Sequence, residues 1–281
     1  MSSRFTYERN EWALILGASS GFGAATAKEL ASHGMSVFGV HFDRAATMSV
    51  ADEVRKAVEA CGVRALFFNI NASDSKKRNE TLDVMKRELD ETPGSTVRVL
   101  LHSLAFGTLR PLASNNSSEM MTQAQLEMTM DVMANTLVYW TQGVVARGLM
   151  KRGGRIFAMT SSGGHSVLMN YGAVSAAKAA LESYIRQLAL ELGPMEITAN
   201  TILAGVTDTP ALRKIPGAAK MLGVAKAKNP SLRVGTPEDV AKAIALLAHD
   251  DAYFISGNVI RVDGGEDIVE FIGQKSAAQL E

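Results

Sequence analysis

The chain begins with a short apolar run that leads into a glycine-rich turn and then into a helical segment. Ala13 to Leu16 is apolar, the turn reads GASSGFG, and the following AATAKELASHG has helical character. A strand, a glycine turn and a helix in this order bring backbone N–H groups and a helix N-terminus to one point, where a pyrophosphate can bind. The pattern therefore predicts dinucleotide binding by a turn that contains Gly17, Ser19, Ser20, Gly21, Phe22 and Gly23.

Apolar runs continue to alternate with helical segments further along the chain. Strands are predicted at Ser36 to His41, Ala65 to Ile70 and Val97 to Leu101, and a helix is predicted at 51–60. With 281 residues and 47% hydrophobic content, the chain can bury a large core. These totals fit one α/β domain or two smaller ones, and no shift in composition marks a boundary.

A second candidate site lies in the segment 159–182, MTSSGGHSVLMNYGAVSAAKAALE. Ala173 to Leu190 has helical composition and periodicity, which places Lys178 on a helix and Tyr171 near its start. Because these two residues are about two helical turns apart, their side chains can share a face. An ammonium group can keep such a phenol acidic or polarise it, and the phenol can then hydrogen-bond a developing oxyanion. The pair alone is a weak indication, since the same spacing occurs by chance in many helices.

Charge and composition argue against several other classes of protein. The 29 basic and 29 acidic residues give a formal net charge of zero, which does not indicate nucleic-acid or anionic-membrane binding. No run of about 18 apolar residues could span a bilayer, and the charged N-terminus is unlike a secretion signal. The single cysteine, Cys61, cannot form an internal disulfide. We therefore expect a cytoplasmic protein without a membrane span, and we predict no metal site.

The glycine spacing, GxxxGxG rather than GxGxxG, resembles that of the short-chain dehydrogenase/reductase family. The resemblance extends from about Trp12 to Gly265. Besides the glycine turn, it rests on Asn135, Ser161, AGVTDTPAL at 204–212, RVGTPEDVA at 233–241 and GNVIRVDGG at 257–265. Several separated motifs in the family's order make this a specific match.

The resemblance implies a fold and an assembly. The expected fold is α/β, with a Rossmann-type, doubly wound parallel sheet that forms a single domain over 1–281. Within it, the core is expected at about 12–265, a mobile substrate lid at about 206–232 and a C-terminal tail at 266–281. A homotetramer is expected by the same resemblance.

Site residues also follow from the resemblance. Asn135, Ser161, Tyr171 and Lys178 are the implied catalytic residues. Lys178 would hold the cofactor ribose, and Asn135 would kink its helix and anchor a water that serves the lysine. Whether Ser161 acts chemically or only supports its loop stays open. Cofactor contacts are implied at Phe42, Arg44, Asn71, Ser103, Ala105, Lys178, Gly205, Thr207 and Thr209.

The choice of cofactor depends on the end of the second predicted strand. An acidic residue there would accept a hydrogen bond from the ribose 2′-OH of NAD, whereas an arginine would neutralise the 2′-phosphate of NADP. The family's acidic position holds Phe42, which is followed by Asp43 and Arg44. Arg44 favours NADPH, and Asp43 leaves NADH as the alternative.

The tyrosine spacing distinguishes two branches of the family. Most carbonyl reductases in it place a tyrosine four residues before the lysine, where this chain has Val174. Tyr171 instead reproduces the Tyr-x6-Lys spacing of the enoyl-[acyl-carrier-protein] reductases. With the complete glycine pattern, Ser161 and TLRPL at 108–112, it resembles their divergent NADPH-dependent bacterial form. Reduction of an enoyl thioester develops negative charge on the thioester oxygen, two carbons from the hydride acceptor, so a displaced donor suits it.

The predicted lid is strongly basic. The segment between Thr209 and Thr236, which overlaps it, contains no acidic residue but six basic ones, namely Arg213, Lys214, Lys220, Lys226, Lys228 and Arg233. Such a lid would attract an acyl carrier protein or the phosphates of a coenzyme A thioester, although a solvated helix face gives the same pattern.

Two further hypotheses remain open at the level of the sequence. One is a reductase of another activated alkene or of a carbonyl, such as a dienoyl thioester, an enone or a 3-oxoacyl thioester. The other is a non-catalytic regulator that binds a dinucleotide, which would need none of the proton-handling residues Asn135, Tyr171 and Lys178.

Overall fold

A computed structural model describes residues 6–8 and 10–270, so residues 271–281 of the predicted tail lie outside the described part of the chain. Within that part, strands and helices alternate as the sequence predicts. The strands are β1 (Glu11–Leu16), β2 (Ser36–His41), β3 (Ala65–Asn69), β4 (Thr96–His102), β5 (Arg155–Thr160), β6 (Thr198–Ala204) and β7 (Val259–Val262). The helices are α1 (Gly21–Ser32), α2 (Met48–Glu59), α3 (Ser75–Asp90), α4 (Gln123–Met130), α5 (Thr136–Ala146), α6 (Gly172–Leu192), α7 (Ala218–Lys228) and α8 (Pro237–Ala248).

The strands form one parallel sheet in the order β3-β2-β1-β4-β5-β6-β7. The winding reverses between β1 and β4, which pair directly although β4 follows β3 in the chain. In a sheet of this kind, ligands bind in the crevice outside the carboxyl ends of the strands at the reversal. The predicted Rossmann-type, doubly wound fold is confirmed.

Helices cover both faces of the sheet. Apolar side chains of α3, α5 and α6, among them Leu82, Trp140 and Leu181, pack on one face. Those of α1, α2 and α8, among them Leu30, Val58 and Ile244, pack on the other. Because central strands are covered on both sides, β2 and β5 are buried along their whole length.

Within residues 6–8 and 10–270, no helix has both the length and the apolar character that crossing a membrane requires. The same residues contain no group of three or more His, Cys, Asp or Glu side chains arranged to hold a metal ion.

Candidate active site

The glycine turn lies between β1 and α1, at the reversal of the sheet. Gly17 has a φ of +93° and Gly21 a φ of +55°, both in the left-handed region that favours glycine. A β-carbon at Gly17 would overlap the carbonyl oxygen of Ser103, and one at Gly23 would overlap that of Gly17. The turn can therefore hold β1, α1 and the end of β4 this close together only with glycine at these positions.

The N-terminus of α1 is open to a ligand. Its N-cap, Ser20, is exposed and extended, with φ −156° and ψ 172°, and makes no side-chain capping hydrogen bond. The first turn of α1 carries no acidic residue. Its backbone N–H groups and the positive end of the helix dipole suit an anion, so this cradle fits the pyrophosphate of a dinucleotide.

At the end of β2, the three residues relevant to cofactor choice point in different directions. Phe42 is 78% exposed and Arg44 is exposed, so both side chains are accessible to a ligand. Asp43 turns inward, where its Oδ2 lies 2.9 Å from His41 Nδ1. Burial pushes the pKa of Asp43 up, but hydrogen bonds from Ser19, Thr47 and His41 outweigh it and lower the pKa. A carboxylate thus lies beside the glycine turn, next to the exposed arginine.

Asn71, the implied adenine contact, forms an ordinary turn. Its exposed side chain accepts a hydrogen bond from Ser73 N at 3.0 Å, two residues later. In this arrangement its side-chain oxygen already has a backbone partner.

The structure shows why a histidine fits at the end of β4. His102 is fully buried and its Nε2 lies 2.8 Å from Thr136 Oγ1. Burial, together with the charge of Lys178, lowers the pKa of His102 to about 3, so the ring is neutral at physiological pH. Ser103 follows and donates from its backbone N to Leu16 O at 2.8 Å, while Ala105 is exposed beyond it.

The helix that carries Asn135 is interrupted where the resemblance implies. A π-helical turn, Asp131–Asn135, separates α4 from α5. Asn135 Oδ1 accepts a hydrogen bond from Tyr184 OH at 2.9 Å. The side chain of Asn135 therefore contacts α6, while the irregular backbone of the π turn lies next to Thr136 and its bond to His102.

Ser161, Tyr171 and Lys178 come together at the carboxyl end of β5. Lys178 Nζ donates to Met159 O at 2.7 Å. Tyr171 is the N-cap residue of α6, and its ring packs on Gly163, where a β-carbon would lie 2.5 Å from Tyr171 Cε1. Ser161 Oγ is 3.2 Å from the same position and, apart from its interaction with Tyr171, has no partner among the described residues.

Burial dominates the electrostatics of this group. It raises the pKa of Tyr171, and only the interaction with Ser161 opposes it. The expectation that Lys178 makes this phenol more acidic is therefore wrong for the structure described. Burial also lowers the pKa of Lys178 to about 8, against the charge of Glu182, which raises it. At neutral pH the site thus holds a protonated phenol and an ammonium ion.

Val174 occupies the place of the usual catalytic tyrosine and is 4% exposed. It belongs to the core between α6 and the sheet. A β-carbon at Gly107, in the segment after β4, would lie 2.8 Å from Val174 Cγ2. A phenol at this position would therefore require the segment around Gly107 to move, whereas Tyr171 already lies beside Ser161.

The segment after β6 completes the cofactor side of the site. Thr207 Oγ1 donates to Gly205 O at 3.0 Å, and Thr209 Oγ1 accepts from Leu212 N at 3.2 Å. A β-carbon at Gly21 would lie 3.6 Å from Thr209 Cγ2. The structure therefore brings Thr209 to the glycine turn, while the contacts of Gly205 and Thr207 with a cofactor stay a prediction.

The prediction of a wholly basic lid needs correction. Arg213 forms two hydrogen bonds to Asp208, at 2.7 and 2.9 Å, and Arg233 forms two to Asp239, at 2.6 and 3.0 Å. Both carboxylates lie outside the 209–236 window, so the composition of the window did not reveal them. The charge that remains is that of the four lysines, Lys214, Lys220, Lys226 and Lys228.

Sequence reasoning missed three acidic residues around the site. Glu182 Oε1 accepts from Thr160 Oγ1 at 2.7 Å, beside Lys178. Asp267 Oδ2 lies 3.1 Å from His165 Nε2 and Glu266 Oε1 accepts from Val206 N at 3.3 Å. Glu182 lies one helical turn after Lys178, and this spacing could have indicated a carboxylate beside the lysine. Glu266 and Asp267 were not considered because they stand in the segment interpreted as a tail.

The chain is similar in sequence to known proteins. A family model described as "Enoyl-(Acyl carrier protein) reductase" matches residues 17–266. The 3-oxoacyl-[acyl-carrier-protein] reductase of Pseudomonas aeruginosa is 30% identical over 90% of this chain and 96% of its own. The enoyl-[acyl-carrier-protein] reductase [NADH] of a Synechocystis strain is 34% identical over 61% of this chain and 65% of its own.

A solved structure is similar over nearly the whole chain. The short-chain dehydrogenase of Burkholderia cenocepacia in complex with NADP has a TM-score of 0.78 and 25% identity, and covers 94% of this chain and 100% of its own. The fold and the site define an oxidoreductase of the Rossmann class. The chain belongs to the short-chain dehydrogenase/reductase family.

Proposed function

We propose that the protein is an NADPH-dependent enoyl-thioester reductase of fatty-acid synthesis. The observation that carries the proposal is that the phenol stands at Tyr171 and a valine stands at 174. The place from which a family carbonyl reductase donates its proton is filled by a buried valine, and a phenol lies three residues earlier, beside Ser161. An enoyl thioester needs its donor at the thioester oxygen, two carbons from the carbon that accepts the hydride, whereas a ketone needs it at the oxygen bonded to that carbon.

Tyr171 supplies the donor in this proposal. Because burial raises its pKa, the phenol stays protonated at neutral pH and can donate a hydrogen bond to the enolate oxygen as charge develops. The cofactor, when bound, supplies the hydride for the β-carbon, and the α-carbon of the resulting enolate takes up a proton from solvent, which gives the saturated acyl product. Ser161, whose Oγ is buried next to the phenol, orients it, and a direct chemical role of Ser161 is not required.

Lys178 holds positive charge near the same oxygen. Its pKa of about 8 keeps most of it protonated at pH 7, and its bond to Met159 O fixes the ammonium group at the end of β5. Two further donors remain for the cofactor ribose while that bond persists, because an ammonium group has three.

The surroundings of Tyr171 suit an acyl chain. Val167 is 98% exposed and Met169 is 91% exposed, in the loop directly before the tyrosine, and Phe106 and Leu112 are also exposed. A β-carbon at Gly172 would lie 2.7 Å from Leu112 Cδ1, so the loop that contains Leu112 touches the start of α6, directly after Tyr171. Exposed apolar side chains of this kind often mark a binding surface.

The lid supports a thioester on an anionic carrier. Lys214, before α7, and Lys220 and Lys226, on α7, are exposed. Positive charge there favours either an acyl carrier protein or the phosphates of coenzyme A, and its attraction should weaken with salt.

The cofactor is proposed to be NADPH rather than NADH. Exposed Arg44 is available for a 2′-phosphate, whereas Asp43 next to Ser19 is the feature that favours a ribose 2′-OH. A homotetramer is also proposed, in keeping with the family. Exposed Tyr253 and Phe254, after α8, offer apolar surface for a subunit contact.

A comparison of two thioester substrates tests the proposal. Purified protein with NADPH should give a saturated acyl product from a 2-enoyl thioester and no 3-hydroxyacyl product from a 3-oxoacyl thioester. Conversion of the 3-oxoacyl thioester alone would assign the protein to carbonyl reduction, as in the Pseudomonas relative. Bound NADPH without turnover of any alkene or carbonyl would leave a dinucleotide-binding regulator.

A further inference from the structure

Glu266 is a buried carboxylate without a role in the site described so far. It follows β7 and is 8% exposed. Its Oε1 accepts a hydrogen bond from Val206 N at 3.3 Å. Its Oε2 is buried, has no hydrogen-bond partner among the described residues, and lies 2.9 Å from where a β-carbon of Gly205 would be. The carboxylate therefore faces the backbone of 205–209, the segment of the predicted cofactor contacts.

The charges around Glu266 come from two segments. Asp263 and Asp267, on the same turn, disfavour its charge, and Lys228 at the end of α7 favours it. Burial is the largest influence and raises the pKa of Glu266. A buried carboxylate is a costly acceptor for one backbone N–H, because a neutral amide could fill that role without the loss of hydration.

The turn that carries Glu266 is also a junction. Asn229 Nδ2, just after α7, donates to Asp263 O at 2.7 Å, which anchors the end of the lid. Glu266 anchors the 205–209 segment, and Asp267 contacts His165 in the loop after Ser161. Gly205 permits the contact with Glu266, because any side chain at that position would collide with the carboxylate.

We infer that Glu266 is a positioning residue, which fixes the Gly205–Thr209 segment through the Val206 amide and thereby sets the affinity for the nicotinamide cofactor. The inference rests on the proposed function in one respect, which is that the Gly205–Thr209 segment contacts the cofactor. It requires no particular substrate. A hydrogen bond to a charged acceptor is roughly twice as strong as one to a neutral acceptor, so the charge itself should matter.

NADPH binding to the full chain, followed by fluorescence titration, tests this role. Glu266→Gln keeps an acceptor of the same shape and should weaken binding roughly fivefold, and Glu266→Leu should weaken it by at least about tenfold. With NADPH saturating, kcat of both variants should stay within about twofold of native, because the chemical groups are untouched. Asp267→Asn is the control, since it alters the same turn without touching Val206.

Unchanged NADPH affinity in Glu266→Gln and Glu266→Leu would overturn the inference. An equal loss of affinity in Asp267→Asn would also overturn it, because the turn as a whole would then be responsible. If Glu266→Leu fails to fold by circular dichroism, the Glu266→Gln result decides alone. If the variants lose NADPH affinity as expected but no enoyl thioester is reduced, the proposed function fails and the role of Glu266 stands.

Discussion

Lys178→Met should change how the stability of the protein depends on pH. Lys178 is 5% exposed, and burial lowers its pKa from 10.5 to about 8. In the folded protein at pH 7, keeping this side chain charged costs about 3 kcal/mol relative to the unfolded chain. Part of that cost is offset by the bond to Met159 O, which methionine cannot make.

The sign of the effect follows from proton binding. Between the folded pKa of about 8 and the unfolded value of 10.5, the unfolded chain holds more protons on this lysine, so its contribution to stability rises with pH. From pH 7 to about pH 9.5, the cost falls by about 2 kcal/mol. Methionine has no such titration, so the stability difference between native protein and variant should shift by that amount in favour of the native protein.

Urea unfolding of the cofactor-free protein at the two pH values measures this shift. Lys220→Met, which removes an exposed lysine on α7, is the matched control and should show little shift. The variant Lys178→Met should also lose nearly all turnover. A stability difference that stays constant between the two pH values would refute the reasoning, since the pKa of Lys178 would then not be lowered by burial.

Three further substitutions follow from packing and charge. Val174→Tyr should lower the free energy of unfolding by about 1–3 kcal/mol, measured in urea, because the larger ring would collide with the chain at Gly107. The variant should also give no 3-oxoacyl reduction, and gain of that activity would contradict this prediction. Gly17→Ala should weaken NADPH binding by at least about tenfold in fluorescence titration, because its β-carbon overlaps the Ser103 carbonyl. Asp43→Ala should raise the ratio of NADPH to NADH affinity by at least about fivefold, because it removes negative charge beside the glycine turn; an unchanged ratio would exclude Asp43 from cofactor choice.

The fold could be predicted because local pattern and tertiary structure agree. β2 has the predicted bounds, Ser36–His41, and α6 extends the predicted helix by one residue before and two after. These segments are buried on a regular face, so their apolar periodicity reports the structure directly. The glycine turn could also be predicted, because only glycine allows the close backbone contacts of Gly17 with Ser103 and of Gly23 with Gly17.

The electrostatics of the site could not be read in the same way. Two arginines of the basic segment, Arg213 and Arg233, form ion pairs with Asp208 and Asp239. The loop geometry, which composition does not report, brings each arginine to its carboxylate. The spacing of Tyr171 and Lys178 indicated a shared face, but burial, which no spacing reports, sets the pKa of the phenol. Glu266 was missed for the same reason, since β7 and the 205–209 segment meet only in the folded sheet.

The most direct test of the central claim is the rate of NADPH oxidation with a 2-enoyl thioester on native protein, Tyr171→Phe and Tyr253→Phe. Tyr253 is an exposed phenol outside the candidate site and serves as the matched control. Loss of one oxyanion donor should lower kcat by roughly 10²- to 10³-fold in Tyr171→Phe, with Tyr253→Phe close to native. An inactive native protein, or a Tyr171→Phe variant as fast as native, would contradict the assignment of Tyr171 as the enolate donor.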